Sequence, residues 1–269
     1  MKKTVSVIAG CSLFFSSWAQ FDNKLSDFGL KGKVSSFVEI EYQLTNYDYD
    51  SKKEERKTTF VFNPNGYKTE EKYTSPLDEI LYFGVFKYSP SGELLEEKVN
   101  NVEYKKNYVK KYIITPQDIS VNIEFESETP YLHEKYILDS KKNVTQKIEY
   151  NRGDTVRTFK YSYNSAGKLT SETQQMSDAS INFRYTYNNK GQLEKKTEVN
   201  ASGKVFHTQS YTYNKSGYTD AEITSYSGDS QKLTLKYKYV LDSTGNWIEK
   251  QEFMDGHLFS VITRKILYY

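Results

Sequence analysis

The stretch Tyr185-Thr-Tyr187-Asn188-Asn-Lys-Gly191-Gln-Leu193 decides the fold of this chain. Asn is favoured at the first position of a type I turn, and Gly is favoured in the left-handed position that ends a three-residue hairpin loop. Asn188 is then predicted opposite Gln192, and Tyr187 opposite Leu193. Because directly opposed residues share a face, the stretch predicts a hairpin with Tyr185, Tyr187 and Leu193 on one face and Arg184, Thr186 and Glu194 on the other.

The same core recurs along the chain. The positions equivalent to Gly191 are 66, 92, 118, 142, 167, 191, 217 and 245, with Asp118 and Lys142 in place of glycine. Pro64, Pro90 and Pro116 each fall at the second turn position, which favours proline. With a second, variable turn between cores, each repeat supplies two strands. We therefore predict an all-β fold of tandem antiparallel β-hairpin repeats over residues 60–269, with about 16 strands in one curved, twisted meander sheet able to curl into a partial shell.

The first residues are typical of a secretory signal peptide, predicted over residues 1–19. Lys2 and Lys3 precede an apolar stretch, and Ser17-Trp18-Ala19 supplies small residues for cleavage before Gln20. A rival interpretation is a lipoprotein, since Ile8-Ala9-Gly10-Cys11 has the form of a lipobox. Residues 20–59 are predicted to form an N-terminal cap and the first strands, with Phe21, Leu25 and Phe28 at helix-like spacing.

Composition excludes several classes of protein. The chain has 37 Lys plus Arg and 35 Asp plus Glu, and loss of Lys2 and Lys3 with the signal would leave 35 against 35. Such a balance gives no basic surface for nucleic acid. The single cysteine, Cys11, also leaves with the signal, so disulfides are not expected. The sequence has no uninterrupted stretch of about 18 apolar residues, so no transmembrane helix is predicted.

The repeat resembles that of the YD-repeat or RHS-repeat family, in which an aromatic and an acidic or amide residue are followed by x-x-G-x-L and a Thr-bearing strand. Tyr187-Asn188 to Gly191 and Leu193, with Thr197, carries the resemblance, which extends over most of residues 60–260. It implies a continuous antiparallel sheet in a secreted or surface-exposed bacterial protein that encapsulates, binds or scaffolds. Lys68, Ser120 and Thr219 stand where the family's repeat has Leu. The sequence also lacks the family's core segment and toxin domain.

No catalytic, metal-binding or cofactor-binding set of residues stands out. His133, His207 and His257 lie in three separate repeats, whereas a metal site needs converging ligands. Glu96, Glu97, Glu194 and Glu198 alternate with lysines and are interpreted as solvated cross-strand pairs on the outer face. No cofactor is expected.

The leading hypothesis is a non-enzymatic, exported structural or binding protein that presents a curved sheet to a protein partner or another cell-envelope component. Its predicted location is the periplasm, the cell surface or the extracellular space. One alternative is a glycan-binding protein that uses exposed tyrosines and Trp247. Another is an outer-membrane β-barrel, although Lys265 and Thr263 interrupt the apolar alternation that such a barrel needs in its last strand.

Overall fold

A computed structural model describes residues 23–126, 132–200 and 202–269; the predicted signal peptide and Phe21 lie outside this range. Eighteen strands make up one antiparallel sheet. In chain order they are β1 (Val34–Gln43), β2 (Lys53–Phe62), β3 (Lys68–Thr74), β4 (Ile80–Tyr88), β5 (Leu94–Asn101), β6 (Lys106–Ile114), β7 (Asp118–Phe125), β8 (Leu132–Leu138), β9 (Val144–Asn151), β10 (Asp154–Tyr163), β11 (Leu169–Gln175), β12 (Ser180–Tyr187), β13 (Leu193–Val199), β14 (Val205–Tyr213), β15 (Thr219–Tyr226), β16 (Lys232–Leu241), β17 (Trp247–Met254) and β18 (His257–Tyr268).

The sheet closes on itself. Each strand pairs with its neighbours in the chain, and β1 pairs with β18, with Phe37 opposite Ile266 and Glu39 opposite Arg264. The all-β meander is therefore confirmed, while the partial shell is corrected to a complete barrel. The eight predicted hairpins account for β2 to β17, and β1 and β18 supply the remaining pair that closes the ring. Closure leaves no sheet edge unpaired.

The Asn-x-x-Gly turn forms as predicted. Tyr187 lies opposite Leu193, with a bulge between Thr186 and Tyr187 in the register. The Gly191 amide donates to the Asn188 carbonyl at 2.8 Å, and Gly191 has a φ of 76°. The Asn188 side chain accepts from the amides of Lys190 and Gln192, each at 3.0 Å. This explains why Asn begins the core and Gly ends it.

One degenerate copy departs from this turn. The Thr115 amide donates to the Asp118 carbonyl, and β6 and β7 pair without a bulge. Asp118 therefore begins a strand after a two-residue loop, and its predicted place at the glycine position was wrong. Lys142 does occupy that position, with a left-handed φ of 69°.

In four of the eight cores, the second tyrosine joins neighbouring repeats. The hydroxyls of Tyr88, Tyr163, Tyr187 and Tyr213 donate to the carbonyls of Lys68, Val144, Leu169 and Leu193, each at 2.7 Å. The acceptor is in every case the residue two after the glycine position of the preceding repeat. Burial raises the pKa of Tyr163 and of Tyr187 to about 12. These tyrosines therefore hold the repeats in register through their protonated hydroxyls.

The N-terminal segment lies at the end of the barrel that carries the Asn-x-x-Gly turns. Its 3-10 helix, Leu25–Phe28, ends at Gly29, and the Leu25 amide donates to the Gly66 carbonyl at 2.9 Å. Phe28 packs against the rings of Phe37, Phe60 and Phe62, with centroids 4.9 to 5.6 Å away. The segment thus covers the apolar end of the barrel beside β1 and β2.

Candidate functional site: the concave face of the barrel

The concave face carries the aromatic residues of the repeats. In a closed barrel, alternate residues of each strand point inward. The face bearing the first core tyrosine is the less exposed one, as Tyr112, Tyr136 and Tyr185 are buried. It also receives Phe28 of the N-terminal segment. This face is therefore the interior of the barrel, and an eighteen-stranded barrel is wide enough to enclose a channel between its walls.

Six of the eighteen strands, β4 to β9, carry a packed apolar cluster on the interior wall. Its buried members are Phe86, Leu94, Tyr112, Ile119, Val121, Ile123, Tyr136 and Val144. Such packing is typical of a structural core. This part of the wall therefore stabilises the barrel.

Outside β10 to β16, the interior carboxylates of the described strands are paired with cations. The pairs are Glu39–Arg264, Glu41–Arg56, Glu71–Lys68, Glu97–Lys110, Glu134–Lys147, Glu149–Lys147 and Glu252–Lys250, with N–O distances from 2.6 to 3.3 Å. Burial of a charge is costly unless the charge is paired. The pairs on β1 to β9, β17 and β18 are therefore interpreted as structural.

The wall formed by β10 to β16 is different. Its inward-facing side chains are mostly half-buried and alternate between rings and polar groups: Tyr161, Glu172, Phe183, Lys196, Glu198, His207, Gln209, Tyr211, Glu222 and Tyr237. Glu172 accepts hydrogen bonds from the Tyr185 hydroxyl at 2.8 Å and the Gln174 amide at 2.7 Å. Glu222 accepts from Gln209 at 2.8 Å. Neutral donors therefore satisfy these two carboxylates.

The register places part of this wall in a single line across six strands, from β10 to β15. Tyr161 lies opposite Glu172, Glu172 opposite Phe183, and Phe183 opposite Glu198. Glu198 lies opposite His207, and His207 opposite Tyr226. We call these six residues the ring–acid row. At about 4.8 Å between strands it is about 24 Å long, and it ends at the variable-turn end of the barrel.

The structure corrects the placement of two predicted surface carboxylates. Glu96 pairs with Lys87 and Glu194 is exposed, as expected of the outer face. Glu97 and Glu198 instead point inward. The reason is the bulge beside the β4–β5 turn and the β12–β13 turn, which shifts the alternation by one residue, so that Phe86 lies opposite Glu97 and Tyr185 opposite Lys196. The bulge therefore interrupts the regular alternation of inward and outward side chains.

The structure does not bring the three histidines together. His207 stacks on Tyr226, whereas His133 packs at a tilt against Tyr150 and His257 at a tilt against Tyr47. In the described ranges, no group of three or more His, Cys, Asp or Glu side chains could hold a metal ion. Trp247 is half-buried beneath the Arg264 guanidinium, 3.6 Å from its ring centroid.

The sequence analysis did not predict the contact between the Lys196 ammonium and the Phe183 ring. Lys196 Nζ lies 4.5 Å from the Phe183 ring centroid. The residues lie thirteen positions apart, and only the bulged register places them on one face.

Among helices of the described residues, none has the length and apolar character to cross a membrane.

No protein-family model matches the chain, and no curated protein matches it. Similar solved structures include a porin-like protein from Bacteroides uniformis, at 14% identity over 87% of this chain and 96% of that chain, with a TM-score of 0.48. A porin-like protein from Bacteroides vulgatus is similar at 9% identity over 71% of this chain and 95% of that chain, with a TM-score of 0.43. A TcdB2-TccC3-Cdc42 structure is similar at 10% identity over 74% of this chain and 15% of that chain, with a TM-score of 0.27.

Proposed function

We propose that this chain is a non-enzymatic, exported binding protein that holds an extended segment of a protein partner inside its barrel, against the wall of β10 to β16. The observation that carries the proposal is the contrast between two parts of the interior wall. The part on β4 to β9 is packed by the chain itself, whereas the part on β10 to β16 presents half-buried rings, carboxylates and amides. Convergent polar groups on an aromatic lining are typical of a binding surface.

Closure of the sheet restricts how a partner binds. The hypothesis of an open curved sheet allowed a folded protein to rest on the concave face, but that face now lies inside a barrel. Since β1 and β18 pair with each other, no free edge remains for strand addition. An extended segment that enters from the variable-turn end fits this geometry, because the N-terminal segment lies over part of the other end, beside β1 and β2.

The outer face supports a barrel that works in water. On β10 to β16 most outward side chains are exposed and polar, although Phe206, Ile223 and Val240 are exposed there too. The polar ones are Lys160, Ser162, Arg184, Thr186, Lys195, Thr212, Lys236 and Lys238. A lipid-facing barrel carries a continuous apolar band on this face. An outer-membrane barrel would also be closed, so solubility without detergent distinguishes that alternative from the proposed binding protein. We expect the purified protein to remain monodisperse without detergent.

The test is binding of unstructured peptides in solution, measured by fluorescence anisotropy, beside a glycan panel. We expect peptides to bind the intact protein and to bind Phe183→Ala at least about tenfold more weakly, since one truncated ring at an interface costs about 2 kcal/mol or more. Thr186→Ala on the outer face of the same strand is the matched control and retains binding. Binding of glycans alone would favour the glycan alternative, and binding of neither class would overturn the proposal.

A further inference from the structure

Resting on the proposed function, we infer that the ring–acid row selects a basic segment, with lysine or arginine side chains seated between its carboxylates and rings. The first support is charge. On the interior wall of the described strands, the carboxylates outside β10 to β16 face a lysine or arginine. Glu172 and Glu222 instead accept from tyrosine and amide donors. The interior carboxylates without a lysine or arginine partner therefore lie on this wall.

The second support is the arrangement of the row. Phe183 lies directly opposite Glu172 on one side and Glu198 on the other. Directly opposed side chains have Cβ atoms about 5 Å apart, so both carboxylates flank one aromatic ring. A cation above such a ring gains from the ring face and from the adjacent negative charges. The pattern of ring, acid, ring, acid and ring repeats this environment along the row.

The third support is that the chain already places an ammonium group there. Lys196 Nζ lies 4.5 Å from the Phe183 centroid and 5.9 Å from the Tyr185 centroid. Among the described residues its partners are these rings, whereas Lys147 and Lys250 pair with carboxylates. Lys196 thus occupies the position that a ligand cation would take. It competes with that ligand from within the chain.

The row also contains a polar atom without a partner. His207 Nδ1 lies 3.7 Å from Glu198, while its Nε2 is buried and forms no hydrogen bond with the described residues. His207 stacks on Tyr226, with centroids 4.8 Å apart. At about 24 Å the row matches about seven residues of extended peptide at about 3.4 Å each. A short basic segment is therefore long enough to span it.

The experiment compares synthetic peptides of equal length in which alternate positions are Lys, Thr or Glu, measured by anisotropy at two salt concentrations. We expect the Lys peptide to bind at least about tenfold more tightly than the Thr peptide, the Glu peptide to bind most weakly, and the preference to shrink as salt rises. Glu198→Gln should weaken the Lys peptide about tenfold. Glu194→Gln, which makes the same charge change on the outer side of β13, should leave binding unchanged.

Lys196→Met provides a test in the opposite direction. Removing the internal ammonium frees the Phe183 ring and takes one positive charge away from the wall, so affinity for the Lys peptide should rise about tenfold. Lys195→Met on the outer face is its control. Equal binding of the Lys and Thr peptides would overturn the inference and leave the proposed function intact, and so would weaker binding by Lys196→Met with unchanged circular dichroism. Failure of every peptide would instead overturn the proposed function.

Discussion

Asn246 holds the backbone of Lys31 through two hydrogen bonds that join opposite ends of the chain. The Lys31 amide donates to Asn246 Oδ1 at 2.7 Å, and Asn246 Nδ2 donates to the Lys31 carbonyl at 2.9 Å. Asn246 follows Gly245, at the position where Lys168 and Gln192 donate to the glycine carbonyl of the next repeat. After the last repeat the neighbour is the N-terminal segment, and Asn246 makes the equivalent link to it.

We expect Asn246→Ala to destabilise the barrel by about 3 kcal/mol, because it removes these bonds and a third to the Tyr268 hydroxyl from a fully buried position. Chemical denaturation measures the loss. Asn100→Ala on the exposed face of β5 is the control and should change stability by less than about 0.5 kcal/mol. Hydrogen exchange should speed up in β1 and β18 first. Equal stability of the two variants would show that Asn246 does not hold the closure.

The tyrosine hydroxyl bonds between repeats give a second prediction. Tyr187→Phe removes only the donor to the Leu169 carbonyl and should lower the free energy of unfolding by about 1 kcal/mol. Tyr104→Phe, at a residue that is 67% exposed, should have no measurable effect. If both variants unfold at the wild-type denaturant concentration, the hydroxyl bonds contribute nothing to the register.

The local turn could be predicted from the sequence because Asn188 and Gly191 satisfy it within four residues. Closure could not, because Phe37 and Ile266 meet only after the twist of all eighteen strands has accumulated. The interior place of Glu198 depends on a bulge that shifts the alternation by one residue. A strict alternation of inward and outward residues therefore could not predict the ring–acid row.

The left-handed turn position predicts opposite effects for two substitutions. Gly191→Ala should cost about 1 to 2 kcal/mol, because Gly191 has a φ of 76°. Gly228→Ala is the control for crowding, since it has a similar φ of 84° with no atom within 4 Å of the added Cβ. Lys142→Gly should stabilise the barrel by up to about 1 kcal/mol, because it relieves the same backbone strain. Loss of the hydrogen bond from Lys142 Nζ to the Pro116 carbonyl reduces this gain. Thermal and chemical unfolding of the three variants measure these signs.

The buried tyrosines predict loss of the barrel in alkali. Burial, followed by the charge of Glu172, raises the pKa of Tyr185 well above its ordinary value of 10.0, and burial together with Glu97 does the same for Tyr112. Burial lowers the pKa of Lys110, but the charges of Glu97, Tyr108 and Glu134 and the hydrogen bond to Glu97 together outweigh it, so the pKa is raised. Each group therefore keeps its proton in the folded state at a pH where the unfolded chain has lost it.

The stability that these groups contribute is complete below pH 10 and falls as the pH rises above it, because the unfolded state then binds fewer protons than the folded state. We expect the ultraviolet absorbance of tyrosinate from the interior residues to appear together with the loss of circular dichroism. Tyr185→Phe removes one such group, so its stability should fall less steeply with pH than that of the wild type. Full, reversible ionisation of the tyrosines around pH 10 in an intact barrel would contradict this prediction.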